Sequence, residues 1–382
     1  MATRTVSGER RHTFLSASAA GESAEGLLDI CLAQLREIPA TANLGFLYAT
    51  DDLADDLQRL LLSLKTQAPQ VAWIGSLGMG LIANGQEFYD QPAMAVMIGD
   101  FPPGSFHILP SFDGEGDRAA DAIHWWRAQP TGFALLHGDP GHPDIIGLLE
   151  YVGRLNGGGF INGGLTSSDT RNYQIAEQIG SGGLSGILFD QQVRVLTDHT
   201  QGCSPIGPIH ELSQSERNIA VRLDNRPALE VMKEDAGEVI ARDLSQAAGY
   251  LFAALPIPGS DTGDYLVRNL LGVDEHQGLI AVGDYLDDQR QLMFCRRDGN
   301  SASEDMLRML KRLRTRLGDE PIRGGVYISC LGRGRNQFGP HSEELQLIHQ
   351  ELGEFPLVGF FANGEIYNGR LYGYTGVLTL FT

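Results

Sequence analysis

The sequence predicts an α/β fold made of two related halves, with mixed β-sheets flanked by helices and an internal repeat. Three observations predict it. Helix-like and strand-like apolar patterns alternate through the first half, which implies layers of helix on sheet. Residues 133–165 and 326–365 run through the same order of strand, Gly-rich loop, Pro, helix, Gly-Phe strand and Asn-Gly. The dipeptide Asn-Gly recurs in similar surroundings, at LIANGQE (81–87), FINGG (160–164) and GFFANGEI (359–366). Asn-Gly between apolar runs signals a hairpin, because both residues tolerate the positive φ of a type I′ turn. Its triple use reads as one unit repeated around a common groove, with Asn162-Gly163 and Asn363-Gly364 at equivalent strand ends.

The elements follow in order. Residues 12–17 read as a strand. Residues 23–38 read as a helix, with Leu27, Leu28, Ile30, Cys31 and Leu35 on one stripe. Residues 44–48 are a short apolar strand. Residues 51–66 are a helix whose acidic first turn suits the macrodipole. Residues 71–77, 93–99 and 106–109 are strands, the last two separated by Pro102-Pro103-Gly104. Residues 133–137 (strand), 145–155 (helix) and 158–162 (strand) restore the alternation. Residues 184–189 and 193–197 read as a hairpin around Asp190-Gln191. The segment QGCSPIGP, residues 201–208, reads as a connector between the halves. Beyond it, strands are expected at 218–223, 251–255, 265–269 and 279–282, and a short helix opens at Pro227. Residues 303–317 form an amphipathic helix with Met306, Leu307, Leu310, Leu313 and Leu317 on one side. Residues 326–331, 343–352, 357–361 and 377–381 close the chain as strand, helix, strand, strand.

Composition narrows the function. The 382 residues are 42% hydrophobic, long enough for two cored domains or one large one. Lys+Arg is 29 against Asp+Glu 48, a formal net charge of −19, and such a surface repels phosphate backbones, so no nucleic-acid partner is expected. The four cysteines, Cys31, Cys203, Cys295 and Cys330, are scattered and suggest neither a zinc site nor a disulfide framework. The N-terminal stretch lacks the apolar core of a signal peptide, and no run approaches the roughly 18 apolar residues of a membrane helix. The expectation is a cytoplasmic protein without a membrane partner.

The chemistry-bearing residues gather in the last third. Cys330-Leu331-Gly332-Arg333-Gly334 follows a strand and precedes a helix. Glycines there let backbone N–H groups approach a ligand, or simply make the turn. Arg333 has the geometry to clamp a carboxylate in two places. Glu365, after Asn363-Gly364, is placed to pair with Arg333 or with a ligand amine; as an exposed turn residue it does neither. Cys330 is either a reactive thiol or a buried strand-end residue. Asn162, Gly163 and Gly164 are the first-half counterparts of the Asn363–Glu365 turn. The cluster Arg308, Lys311, Arg312, Arg314 and Arg316 reads as a solvated face before it reads as a docking surface for an acidic partner. There is no G-x-S-x-G elbow and no Walker loop, so neither a hydrolase triad nor a nucleotide site is indicated.

The run ISCLGRGRNQFGP, followed by a helix, FPLVGFFANGEI and the terminal GYTGVLTLF, resembles the C-terminal domain of the FIST family. Gly163-Gly164, GILFD, GCSPIGP and RPAL (226–229) resemble its N-terminal domain. The resemblance implies a FIST N-terminal-like domain over residues 1–225 and a FIST C-terminal-like domain over 226–382. It implies a non-catalytic sensory protein that binds a small molecule, with amino acids as one ligand class. It implies output through a signalling protein, a histidine kinase or similar, in trans, because the chain leaves no room for a fused kinase, cyclase or F-box. Ligand-binding candidates on this reading are Cys330, Gly332, Arg333, Gly334, Asn363, Gly364, Glu365, Asn162, Gly163 and Gly164. No cofactor is expected, with haem as the alternative: some members bind haem and respond to nitric oxide, and His137, His142, His199 and His276 are then the axial candidates. An enzyme, or an adaptor for another protein, would use the same Cys330/Arg333/Glu365 region.

Overall fold

A computed structural model describes residues 14–35, 37–114, 118–157, 159–237, 249–257 and 264–382. Three six-stranded sheets form the body. The first runs Leu15–Ala20, Ala93–Gly99, Leu44–Thr50, Ala72–Gly78, Gln174–Ala176, Gln178–Gly180. The second runs Phe106–Phe112, Leu184–Asp190, Gly132–Gly138, Phe160–Leu165, Glu365–Tyr367, Arg370–Tyr372. The third runs Val195–Gln201, Thr375–Phe381, Gly324–Cys330, Leu357–Ala362, Gly80–Ala83, Gln86–Tyr89. All three share one plan: two antiparallel strands, a central parallel pair, and a hairpin lent from elsewhere in the chain. The hairpin after Ala72–Gly78 joins the third sheet, the one after Phe160–Leu165 joins the first, and the one after Leu357–Ala362 joins the second. The lending is cyclic. The fold is α/β with mixed sheets and an internal repeat, as the sequence predicts, and the repeat occurs a third time, in residues 15–99.

The Asn-Gly equivalence needs correction. Asn84-Gly85 makes a hairpin turn, with φ of 48° and 85°, and its third-copy counterpart is Asn368-Gly369, with φ of 49° and 69°. Gly163 instead sits inside a strand, opposite Leu136, as Gly75 sits opposite Leu47 and Gly359 opposite Tyr327. A Cβ at these three glycines would lie 1.7, 1.8 and 1.7 Å from the carbonyl oxygens of Leu47, Leu136 and Tyr327 respectively. The repeated feature is therefore a glycine that lets the parallel strands close together, and Asn162-Gly163 aligns with Val358-Gly359 rather than with Asn363-Gly364. The expected hairpin at 184–197 is also absent. Leu184–Asp190 has both edges taken, by Gly132–Gly138 and Phe106–Phe112, and Val195–Gln201 pairs with Thr375–Phe381 in another sheet. The first strand is found at Leu15–Ala20; residues 12 and 13 of its expected span lie outside the described residues.

The inner faces of the three sheets meet in one core. Phe46 and Tyr48 from the first, Leu135 and Phe189 from the second, and Ile328, Phe360 and Phe381 from the third are all buried together. The residues between them, such as Leu47 and Ala49, face a helix layer, which is why these strands read as unbroken apolar runs. Leu57, Leu60, Leu61 and Leu64 give the helix Leu57–Gln67 one buried stripe. The helix Gly299–Leu317 is capped by Asp298, buries Met306, Met309, Leu310 and Leu313, and stops at Gly318 in a positive-φ conformation.

The third copy carries an insertion before this helix. Gln291–Arg297, His210–Glu216, Ile219–Leu223, Leu279–Val282, Tyr265–Asp274 and Leu251–Pro256 pair in sequence, and the last pairs back onto the first. This closes an antiparallel barrel, filled by Leu229 and Met232 of the helix Ala228–Ala236 against Leu223, Ile280, Leu292 and Phe294. The segment read as a connector leads into it through Cys203–Pro205. Hydrogen bonding crosses between residues 1–225 and 226–382, at Val195–Gln201 with Thr375–Phe381 and at Gly80–Ala83 with Leu357–Ala362.

Candidate functional site

The two segments singled out in the sequence meet. The central pair of the third sheet, Gly324–Cys330 and Leu357–Ala362, is parallel, with Cys330 opposite Ala362, so both chains leave the sheet on the same edge. There Cys330, Leu331 and Gly332 face Asn363 and Gly364 across a cavity of about 920 Å³. The carboxyl edge of parallel strands is where open α/β sheets bind ligands. The far wall is the barrel, with Arg217, Arg268, Asn269, Leu271, Asp284 and Tyr285. Ile146, Leu271 and Tyr285, 47, 63 and 63% exposed, stand on its rim. Arg268 is occupied by Asp284, at 2.7 Å.

In the other copies the same edge is filled by the protein itself. In the first, Asp51 accepts hydrogen bonds from Ser168, from Thr170 Oγ1 at 2.9 Å and from the Asp169 N–H at 3.2 Å. In the second, Asp139 accepts from the N–H of Gly141 and Gly182 and from Asn172. In the third, a cavity of about 920 Å³ adjoins the strand ends instead.

Arg333 does not face the cavity. Its side chain is 0% exposed, pairs with Glu344 Oε1 at 2.8 Å and lies 4.9 Å from the Phe338 ring centre. Burial works against its charge, but Glu344 and Tyr327 together outweigh that and hold the guanidinium protonated. Glu344 is held in turn by Tyr327 Oη at 2.6 Å, Ser329 Oγ at 3.1 Å and the Gly334 N–H at 2.8 Å. The expected ligand clamp is thus an internal ion pair that folds the loop back on the helix Glu343–Leu352. Gly334 belongs to that turn: its φ is 51°, and a Cβ there would lie 2.0 Å from the Tyr89 hydroxyl.

Glu365 is not an exposed turn carboxylate. It is 0% exposed and follows Gly364, which lines the cavity. Oε2 accepts from the Thr375 N–H at 3.0 Å and Oε1 has no hydrogen-bond partner. Burial pushes its carboxyl up to about 8, against the smaller opposing pull of the Thr375 N–H, Arg333 and Cys330. It is therefore mostly neutral at pH 7 and offers no counter-charge to a ligand amine. Burial, then Glu365, pushes the Cys330 thiol up as well, so it is not a ready thiolate. Cys31, Cys203 and Cys295 are buried, and Cys330 is half-buried.

Asn162, Gly163 and Gly164 lie away from the cavity, within the strand Phe160–Leu165. Asn162 bonds Thr197 and Thr379, and Gly164 pairs with Glu365 across the sheet, so this trio positions the hairpin carrying Glu365. None of His137, His142, His199 and His276 lines the cavity. His137 is packed in the core, hydrogen-bonded to Tyr48 at 3.1 Å, and burial depresses its pKa to about 3; His199 stacks on Tyr367 at 4.1 Å. The cavity offers a haem iron no imidazole, and no cluster of His, Cys, Asp and Glu suited to a metal is present among the described residues. The basic helix face is largely engaged: Arg308 with Asp305, Arg312 with Asp198, Arg314 and Arg316 with the Glu351 and Thr197 carbonyls.

Sequence reasoning missed the barrel wall. Arg217 and Tyr285 sit in loops, and Asn269 and Leu271 on the outer, mostly exposed half of the strand Tyr265–Asp274, where no local pattern marks them. Tyr374 carries a signal, in GYTG, but nothing local ties it to the site. No helix among the described residues is long and apolar enough to cross a membrane.

The FIST N domain matches residues 43–226 and the FIST C domain residues 228–368. An uncharacterized protein of Mycobacterium tuberculosis strain H37Rv is 30% identical over 368 residues, covering 89% of this chain and 91% of its own. An uncharacterized protein of Mycobacterium bovis is 28% identical over 368 residues, covering 90% and 91%. The chain belongs to the FIST family, whose domains are linked to sensory signal transduction.

Proposed function

We propose that this protein is a small-molecule sensor without catalytic chemistry, whose ligand occupies the cavity between the third sheet's strand ends and the barrel. One observation carries the reading: the strand edge that the first two copies fill with their own Asp51 and Asp139 networks is open in the third. Around the opening stand an apolar rim and a few convergent polar groups, Cys330, the Gly332 and Gly364 backbone, Asn269, Asn363 and Arg217. That mixture is typical of small-ligand sites. An amino acid remains the leading ligand class on the family's account, but its ammonium would not find Glu365 charged and its carboxylate would not find Arg333 free. Its counter-charge would be Arg217, which has no side-chain partner among the described residues. Ligand binding would be reported by the barrel, which shares the cavity with the body, to a signalling partner in trans.

The test is a thermal-shift screen of amino acids and organic acids. A ligand that binds only the folded state raises the melting temperature by mass action, by about 2.7 kcal/mol of stability at a hundredfold excess over Kd. A hit that loses its effect in Tyr285→Ala or Arg217→Gln supports the assignment. A hit unaffected by either variant places binding elsewhere and removes this cavity from consideration.

A further inference from the structure

Each lent hairpin lies beside the outer strand of its own copy, so three equivalent interfaces can be compared. Register fixes the correspondence. Ile82, Ile175 and Ile366 lie opposite the repeated glycines Gly359, Gly75 and Gly163. The residues that follow them, Ala83, Ala176 and Tyr367, are therefore equivalent. So are Phe88, Gly180 and Tyr372, which pair with Leu81, Gln174 and Glu365 across each hairpin. In the first copy the hairpin is bonded to the outer strand, Ser16 Oγ donating to Asn84 Oδ1 at 2.7 Å, and Phe88 packs on the core. In the third, Tyr367 and Tyr372 lie against His199, with ring centres 4.1 and 5.4 Å away. In the second, both rings are missing. Ala176 and Gly180 stand in their places, and the outer strand bulges so that Pro110 and Ser111 together replace His199. Glu177, at the position of Asn84, bonds Lys65 and the Trp73 N–H, each at 2.6 Å. Between hairpin and strand remains a cavity of about 580 Å³. Gln174 and Ser185 line it; both are 1% exposed and hydrogen-bonded to each other at 2.7 Å. His107 lines it too. Its Nδ1 lies 3.0 Å from the Ile108 carbonyl oxygen and donates there, which leaves Nε2 of the neutral ring as an acceptor.

We propose that this cavity is a second ligand site, separate from the one beside Cys330, and that it takes a planar two-ring aromatic compound bearing a hydroxyl group. The rings occupy the space that Tyr367 and Tyr372 fill in the third copy, against Pro110 where those two lie against His199. Ile108, Ala122 and Ile179 supply further apolar lining for them. The hydroxyl donates to His107 Nε2. The charged lining groups do not select an ion: Glu177 is paired with Lys65, and Arg118 and Asp121 are exposed and of opposite sign. A mostly apolar lining with a few fixed polar groups is the usual character of small-molecule sites. The inference does not depend on which ligand, if any, occupies the cavity beside Cys330.

Titration of the full chain with 2-naphthol and with naphthalene, followed by saturation-transfer NMR, tests it. Expected is saturable binding of both, tighter for 2-naphthol. Ala176→Tyr rebuilds the arrangement of the third copy and should abolish binding in a folded protein. His107→Phe should weaken 2-naphthol by roughly fivefold, the loss of one neutral hydrogen bond, and leave naphthalene unchanged. Tyr285→Ala, in the other cavity, should change neither. Absence of saturable 2-naphthol binding up to its solubility limit overturns the proposal. So does binding that survives in folded Ala176→Tyr, or that Tyr285→Ala removes. Should Ala176→Tyr fail to fold, His107→Phe decides: an unchanged ratio of 2-naphthol to naphthalene affinity overturns the assignment.

Discussion

Replacing Arg333 with Met should damage the fold rather than a ligand response. The side chain and its partner Glu344 are both 0% exposed, 2.8 Å apart. Removing the guanidinium leaves a carboxylate in the interior with three remaining donors, Tyr327, Ser329 and the Gly334 N–H. Breaking one side of a buried pair typically costs about 3–5 kcal/mol, because the partner's desolvation is no longer offset. The remaining donors place the expected value at the lower end, about 3 kcal/mol. Arg333→Met with Glu344→Gln removes both charges and should recover at least about half of the loss, as coupled neighbours do. Urea unfolding of the two single variants and the double variant gives the coupling energy directly. A single-variant loss under about 1 kcal/mol, the range of surface substitutions, would refute the reasoning and return Arg333 to the residues free to meet a ligand.

Glu365→Gln should change the pH dependence of stability. The carboxyl titrates near 8 in the folded protein against an ordinary 4.5, so folding takes up a proton in between and wild-type stability falls as pH rises through that window, by on the order of 5 kcal/mol in all. His137, depressed to about 3, acts in the opposite sense: its contribution is lost as pH falls below 6.5. Glu87, pushed up to about 7 by burial, declines in the same sense as Glu365, so His137 offsets only one of the two from about pH 4.5 to 6.5; chemical denaturation from pH 5 to 9 should show a decline whose part between about pH 7 and 8 is removed by Glu365→Gln. Gly359→Ala, whose Cβ would fall 1.7 Å from the Tyr327 carbonyl oxygen, should cost at least about 3 kcal/mol, while Gly353→Ala, with open space around it, should be penalised only by its positive φ; paired melting curves decide. Leu271→Ala and Tyr285→Ala, at exposed positions, should leave the unliganded melting curve within about 0.5 kcal/mol of the parent while lowering the affinity of any cavity ligand.

Much of the fold is legible because its signals are local. Runs such as those within Leu44–Thr50 and Leu357–Ala362 are apolar on both faces, and Leu57–Gln67 carries a helical stripe. The repeat is legible as an order of elements, but its residue-level alignment is not. Asn-Gly marks a turn at residues 84–85, whereas at Asn162-Gly163 the glycine serves a close strand contact that only the pairing of distant segments reveals. The exchange of hairpins between sheets is likewise non-local and leaves no mark in a single sequence. At the site, the meeting of Cys330–Gly332 with Asn363–Gly364 follows from one strand–helix–strand unit. Side-chain direction does not: a Gly-rich loop suggests an exposed Arg333, yet Glu344, on the following helix, draws it inward. Glu365 reads as a surface turn until the hairpin is seen packed against Gly164.

A ligand seated in the cavity beside Cys330 would shield that thiol. Cys330 is the half-buried cysteine among three buried ones, so its alkylation reports on the cavity from within. The measurement is the extent of Cys330 modification by iodoacetamide after long exposure at about pH 9.5, above the ordinary thiol range because burial holds this thiol protonated, followed by peptide mass mapping, with and without each amino acid or organic acid that raises the melting temperature. Such compounds should slow labelling of Cys330 in proportion to occupancy, and Tyr285→Ala should weaken both effects together. A compound that stabilises the protein at saturating concentration while Cys330 reacts to its unliganded extent would contradict the cavity as the ligand site.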